Sequence, residues 1–191
     1  LYNKLNHLGF TEASLNQQKA RVEFAKFLSY ANNQQKEEAY SALKSRKNYA
    51  AAAMALMEVD EVRQRNFDAY NAQMEAWYYI LFGEYDKAKE QLAELYPIAS
   101  KIQSPSALDN YNALSGMVRL FSGDAQGALS YFKDNINPEN YQYYAYFKAL
   151  ALKSTGEDTK ARAIFNYIAN YNFNSWEAVL VRSLAKKQLE S

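Results

Sequence analysis

Apolar side chains recur at steps of three and four residues along most of the chain, the spacing of one face of an α-helix. The pattern is clear in residues 22–28, 92–96 and 165–169. The run Tyr143–Phe147 is β-prone by propensity, but it continues the helical spacing of Ala149 and Leu152, so we interpret it as helix. The predicted helices cover residues 11–31, 34–46, 49–60, 65–82, 85–100, 106–121, 125–136, 139–154, 158–170 and 174–190.

The connections between these helices are short. The chain has only three prolines and six glycines, and no stretch rich in Ser, Gly and Pro divides it. This predicts a single helical domain over residues 1–191. Within it we expect an N-terminal helix in residues 1–32, repeated hairpins in residues 33–172 and a capping helix in residues 173–191.

An internal repeat is centred on three glycines. Each glycine is followed by an acidic residue, has an alanine five residues later and a large apolar residue four beyond that, and has a small residue seven positions before it. The glycines are Gly83, Gly123 and Gly156, the alanines Ala88, Ala128 and Ala161, the large residues Leu92, Phe132 and Phe165, and the small ones Ala76, Gly116 and Ala149. A weaker copy runs from Lys47 through Ala52 to Leu56. We expect each glycine to end one helix in a left-handed conformation.

This repeat resembles the tetratricopeptide repeat, whose unit is a helix–turn–helix of about 34 residues. The resemblance covers residues 33–172 as three to four divergent copies. It departs from the family pattern at Lys47, which stands where a glycine is expected, and in the first helix, where no Leu-Gly pair precedes the small residue. It implies an all-α solenoid of antiparallel hairpins, a right-handed superhelix.

Composition excludes several classes of site. The chain has no cysteine and one histidine, which rules out disulfides, thiolate metal sites and multi-histidine sites. Its 22 basic and 21 acidic residues argue against nucleic acid as the main partner. Lys44, Arg46 and Lys47 form a basic cluster too small to change that.

No catalytic constellation is visible. His7 has no serine or acidic residue at motif spacing, and no phosphate-binding loop surrounds Gly123 and Gly127. We therefore predict no enzyme, with no catalytic residue, no cofactor and no metal.

The longest apolar stretch, Tyr49–Met57, has nine residues, about half of a membrane-spanning helix, so we predict no membrane insertion. The start at Leu1 suggests a processed protein or a fragment of a longer chain. Composition rich in Asn, Tyr and Lys suggests a bacterial source. It leaves the protein's localisation, exported or cytoplasmic, open.

The resemblance also implies a binding face. In that family the first helix of each hairpin lines a concave groove, at thirteen, ten and six residues before the turn glycine. The candidate groove residues are Tyr70, Gln73, Trp77, Asn110, Met117, Tyr143 and Tyr146, and the same spacing includes Ala113 and Leu150. Such side chains suit an extended peptide or a partner helix. The alternative is that these aromatic rings pack between hairpins.

Two functions remain open from the sequence. The first is a non-catalytic scaffold that binds a protein or peptide. The second is a small-molecule or glycan-binding solenoid, in which Tyr70, Trp77, Tyr143 and Tyr146 would stack on sugar rings; an accessory domain of a larger enzyme is a further alternative. The Lys and Arg residues with which some relatives clamp a C-terminal carboxylate are missing from the groove positions, so acidic chaperone tails are not the expected ligand.

Overall fold

The computed structural model describes residues 10–102, 108–173 and 175–190. Of these residues 78% are helical and none is in a strand, which confirms the all-α prediction. The described residues form nine helices. They are α1 (Glu12–Asn32), α2 (Lys36–Ala55), α3 (Glu61–Leu81), α4 (Tyr85–Ala99), α5 (Asp109–Phe121), α6 (Ala125–Tyr131), α7 (Gln142–Ser154), α8 (Asp158–Ala169) and α9 (Trp176–Glu190).

The chain divides into two compact units, Leu1–Ile102 and Gln103–Ser191. In the first unit α1 packs on α2 and α3 packs on α4, and a smaller contact joins α2 to α3. In the second unit α5 packs on α6 and α7 packs on α8, while α9 packs against both α7 and α8. Each unit therefore contains two antiparallel helix hairpins, and the second carries an additional helix.

The three glycine turns have the predicted conformation. Gly83, Gly123 and Gly156 have φ values of +73°, +86° and +83°, the left-handed region that glycine adopts without a Cβ clash. In each turn the residue after the glycine donates its backbone N–H to a carbonyl five residues earlier. One example is the bond of 2.8 Å from Glu84 to Tyr79. This bond closes the helix end and reverses the chain into the next helix.

A fourth turn of the same kind joins α1 to α2, and it contains no glycine. Gln34 has a φ of +58°, and Gln35 donates to the carbonyl of Tyr30 at 2.9 Å. Ala39 and Leu43 then occupy the two packing positions of the second helix, and both are buried. The first hairpin therefore repeats the geometry of the other three.

The predicted copy at Lys47 is wrong. Residues 34–46 and 49–60 were expected to be separate helices, but α2 runs without a break through Lys47. Ala52 and Leu56, which were expected to pack, are both exposed. The turn lies upstream at Gln34, where a glutamine adopts the left-handed conformation that glycine normally supplies.

The small residues of the repeat lie where helices approach closely, as expected. Ala88, Ala128 and Ala161 are fully buried or nearly so. A Cβ added to Gly116 would lie 2.8 Å from the Phe132 ring, closer than van der Waals contact allows. Helix α6 ends at Tyr131, earlier than the predicted end at residue 136, and residues 132–141 form a connection to the next helix. Among the nine helices of the described residues, none combines the length and the hydropathy that a membrane-spanning segment requires.

Candidate functional site

Most of the candidate groove residues are buried. Trp77, Met117, Tyr143 and Tyr146 are between 0% and 6% exposed, Gln73 and Asn110 are half-buried, and Tyr70 is 40% exposed. The expectation that these side chains form one accessible face is therefore wrong for four of the seven. His7 lies outside the described residues.

Ring packing explains this burial. The Trp77 ring lies 5.6 Å from that of Phe27 and 6.4 Å from that of Phe24, both on α1. The Tyr146 ring lies 5.7 Å from that of Phe165 on α8. These large rings fill the space between the packed helices. The alternative stated for the sequence, packing of the rings between hairpins, therefore holds for Trp77, whereas Tyr146 packs on Phe165 within its own hairpin.

An open cavity of about 490 Å³ lies in the first unit between α1, α2 and α3. Its wall includes three arginines, and we call it the arginine pocket. Its polar and aromatic wall is formed by Arg21, Arg46, Arg63, Gln17, Phe24, Phe67 and Tyr70, and its small and flexible apolar wall by Ala20, Ala50, Ala53, Met54 and Met57. These side chains include no aspartate and no glutamate, so the cavity carries an excess of positive charge.

Arg46 is the unusual member of this set. It lies on the buried stripe of α2, at helical spacing from Ala39, Ala42, Leu43 and Ala53, where an apolar residue is expected. Only 4% of its surface is exposed. Arginine is seldom buried to this degree without a partner of opposite charge.

The contacts of Arg46 are to neutral groups. Its Nη2 donates a hydrogen bond to Oδ1 of Asn71, and its guanidinium carbon lies 4.4 Å from the centre of the Tyr70 ring. Its Nε is buried without a hydrogen-bond partner. The carboxylate of Glu75 acts on the charge of Arg46 from a distance, but its ion-pair partner is Lys47, at 2.8 Å. Loss of hydration lowers the pKa of Arg46, and this outweighs the opposing influence of Tyr70 and Glu75.

Arg21 and Arg63 are exposed at the surface of the arginine pocket. Arg63 is positioned by the start of α3, since its backbone N–H donates to the Asp60 carboxylate at 2.7 Å and its Nη1 donates to the carbonyl of Glu58. Asp60 thereby caps the helix. Contacts to the main chain thus hold Arg63 in place at the surface of the pocket.

The lining of the arginine pocket presents three guanidinium groups and the hydroxyl of Tyr70, which are hydrogen-bond donors suited to an anion. The residues that line it include no serine, cysteine, histidine or carboxylate. Within the described residues no group of three or more His, Cys, Asp or Glu side chains is placed to hold a metal.

A second polar cluster, in the other unit, serves the fold. The Asp109 carboxylate is buried at the start of α5, where it accepts hydrogen bonds from Asn135 and, at 2.9 Å, from the Tyr141 hydroxyl. Burial, together with Asp109, raises the pKa of Tyr141 to about 12. These bonds tie the connection after α6 to α5.

Sequence reasoning missed the arginine pocket. Arg46 was grouped with Lys44 and Lys47 as one basic cluster, although the three side chains face different surroundings. The available signal was the register of Arg46 on the apolar stripe of its helix. Reading that register required α2 to be recognised as one continuous helix.

We found no match to this chain among protein-family models, curated proteins or solved structures. Membership of the tetratricopeptide family therefore stays a prediction from the repeat.

Proposed function

We propose that this chain is a non-catalytic binding module and that the arginine pocket receives an acidic group of its ligand. The observation that carries this proposal is the buried guanidinium of Arg46, which borders the cavity and has no carboxylate partner. Removing a charge from water costs free energy unless an opposite charge or a full set of hydrogen bonds replaces the lost hydration. A bound anion would supply that compensation.

Three neighbouring cations strengthen the case for an anion. Arg21, Arg46 and Arg63 line the same cavity, and like charges held together repel one another. An acidic group placed among them relieves this repulsion, and the apolar wall lowers the local dielectric constant and strengthens the attraction. The pocket is thus suited to a ligand with an acid at one end and an apolar body.

Between the two functions left open by the sequence, the cavity favours a small ligand. A volume of about 490 Å³ falls within the range of small-molecule sites, about 300–1,000 Å³. The glycan alternative loses support, because Trp77, Tyr143 and Tyr146 are buried among other rings. A protein partner remains compatible with the pocket if it inserts an acidic or apolar side chain. In this proposal the hairpins stack as a solenoid that acts as the scaffold.

Titration with anilinonaphthalene sulfonate, a fluorescent anion with an apolar body, tests the proposal. We expect saturable one-to-one binding to the wild type and at least about tenfold weaker binding to Arg46→Met, since a charge-assisted bond contributes about 1.5–3 kcal/mol. Arg162→Met is the matched control, because Arg162 is exposed on α8 in the other unit. Binding unchanged in Arg46→Met, Arg21→Met and Arg63→Met would contradict the proposal.

This dye also binds partly unfolded proteins, so the titration needs a structural control. Far-UV circular dichroism and a cooperative thermal transition must match between the wild type and each variant. Arg21 and Arg63 are exposed, and their substitution is not expected to disturb folding. These two variants test the site even if Arg46→Met does not fold.

A further inference from the structure

We infer that the natural ligand of the arginine pocket is an aliphatic monocarboxylate, an acid with a flexible, unbranched hydrocarbon chain. This inference rests on the proposed function, because it specifies the ligand of the same site. It is carried by the shape and chemistry of the apolar wall and by the donors that Arg46 presents.

The apolar wall suits a hydrocarbon chain. Ala20 of α1 and Ala50 and Ala53 of α2 contribute only a methyl group each, so they leave a smooth surface between two helices. Met54 and Met57 continue this surface. Methionine has an unbranched, rotatable side chain that adapts to an irregular apolar partner. Methylene groups can pack along such a wall without requiring a ring-shaped slot.

Two of the three aromatic rings in the pocket are already engaged by the protein. Phe24 packs against Phe27 at 6.5 Å and against Trp77 at 6.4 Å, between ring centroids. One face of Tyr70 is covered by the guanidinium of Arg46. Stacking on these rings is therefore less available to a ligand than contact with the alanine and methionine surface. This favours an aliphatic body over an aromatic one.

The acidic end of the ligand is assigned from Arg46. A guanidinium is planar, and its N–H groups point outward in that plane, where the two oxygens of a carboxylate match them. The guanidinium carbon of Arg46 lies 4.4 Å from the centre of the Tyr70 ring, Asn71 accepts a hydrogen bond from Nη2, and the buried Nε has no hydrogen-bond partner. A single carboxylate also balances the one cation that is buried, while the exposed Arg21 and Arg63 guide it into the pocket.

Isothermal titration of the full chain with dodecanoate, below the concentration at which it forms micelles, tests this inference. Dodecanol and dodecylamine are the comparison ligands, since they keep the chain and replace the anion by a neutral or a cationic group. We expect one dodecanoate per chain, with dodecanol and dodecylamine about ten- to a hundredfold weaker. Arg46→Met should remove this preference, and Arg162→Met should retain it.

A second pair of variants tests the chain-binding wall. Ala50→Phe should fill the cavity beside α2 and weaken dodecanoate binding by at least about tenfold. Ala52→Phe is its control, because Ala52 lies on the exposed face of the same helix. Equal effects of the two substitutions would overturn the assignment of the hydrocarbon chain to this wall.

The outcomes separate this inference from the proposed function. If anilinonaphthalene sulfonate binds through Arg46 but dodecanoate does not, the pocket is an anion site and the aliphatic ligand is wrong. If dodecanol binds as tightly as dodecanoate, the carboxylate assignment is wrong. Tighter binding of an acetylated di-leucine peptide than of dodecanoate would assign the pocket to a peptide terminus and overturn the inference. If neither anion binds, both proposals fail.

Discussion

The ring of Phe132 lies directly over Gly116, so that a Cβ at Gly116 would be 2.8 Å from the Cζ atom of the ring. Phe132 is 3% exposed and cannot move away freely. Packing of the Phe132 ring therefore requires a glycine at position 116 of α5. Conversely, the absence of a side chain at Gly116 leaves the space that the ring fills.

Gly116→Ala should destabilise the second unit. We expect a loss of about 1–3 kcal/mol from overpacking, offset in part by the better helix propensity of alanine, about 1 kcal/mol. Chemical denaturation measures the change. The double variant Gly116→Ala/Phe132→Leu should be less destabilised than the sum of its two single variants, because leucine makes room for the new methyl group. Additive losses would show that the two residues do not compete for the same space.

We expect replacement of Gln34 by glycine to stabilise the fold, because Gln34 has a φ of +58°. A residue with a Cβ in the left-handed region costs about 1–2 kcal/mol, which glycine avoids. Gln34→Gly should therefore raise the free energy of unfolding by up to about 1 kcal/mol, after the entropy lost by glycine on folding is subtracted. The matched reverse change is Gly83→Ala, where φ is +73° and nothing crowds the added Cβ. It should destabilise by about 1–2 kcal/mol. Urea unfolding of both variants, with opposite signs of change, is the measurement.

The buried rings of the candidate groove should behave as core residues. Trp77→Ala and Tyr146→Ala should each lower the free energy of unfolding by about 3–5 kcal/mol. Tyr70→Ala, at a ring that is 40% exposed, should cost less. If a thermal melt of Trp77→Ala were unchanged, the ring would not be part of the packed core and a binding role would regain support.

We expect Glu177 to make the folding stability of the chain depend on pH. Its carboxylate accepts a hydrogen bond from the backbone N–H of Tyr143 at 3.1 Å, across the contact between α9 and α7. Loss of hydration raises the pKa of Glu177 above its ordinary value of 4.5, although the bond from Tyr143 opposes this. The folded state therefore favours the protonated carboxyl. The stability that this group contributes is present in full below pH 4.5 and is lost as the pH rises through the higher pKa of the folded state.

Glu177→Gln keeps an acceptor oxygen for Tyr143 and removes the charge. The stability of the variant relative to the wild type should be higher at pH 7 than at pH 4, where the wild-type carboxyl is itself neutral. Thermal melts of both proteins between pH 4 and pH 7 give the difference in their stability. Groups that titrate identically in the two proteins do not contribute to this difference. A difference that does not change with pH would show that the charge on Glu177 costs nothing in the folded state.

Local sequence patterns were sufficient to predict the helical class and three of the four hairpin turns. Helical spacing is a local property, and a left-handed turn selects glycine for a reason that lies in the backbone of one residue. The alanines that follow the three glycine turns were also predicted correctly, because close helix approach requires a small side chain at a fixed distance from the turn. In these cases the cause and the residue lie within a few positions of each other.

The turn at Gln34, the burial of Trp77 and Tyr146, and the arginine pocket depend on packing between helices and could not be predicted from local patterns. A glutamine can adopt either handedness, and the packing of α1 on α2 selects the rarer one. An aromatic ring suits a surface or a core equally well by its chemistry, so its position depends on which helix faces it. The charge of Arg46 gains its significance from burial beside Tyr70 and Asn71, which lie about 25 residues away along the chain. Such environments are created by contacts between distant segments, and no local pattern contains them.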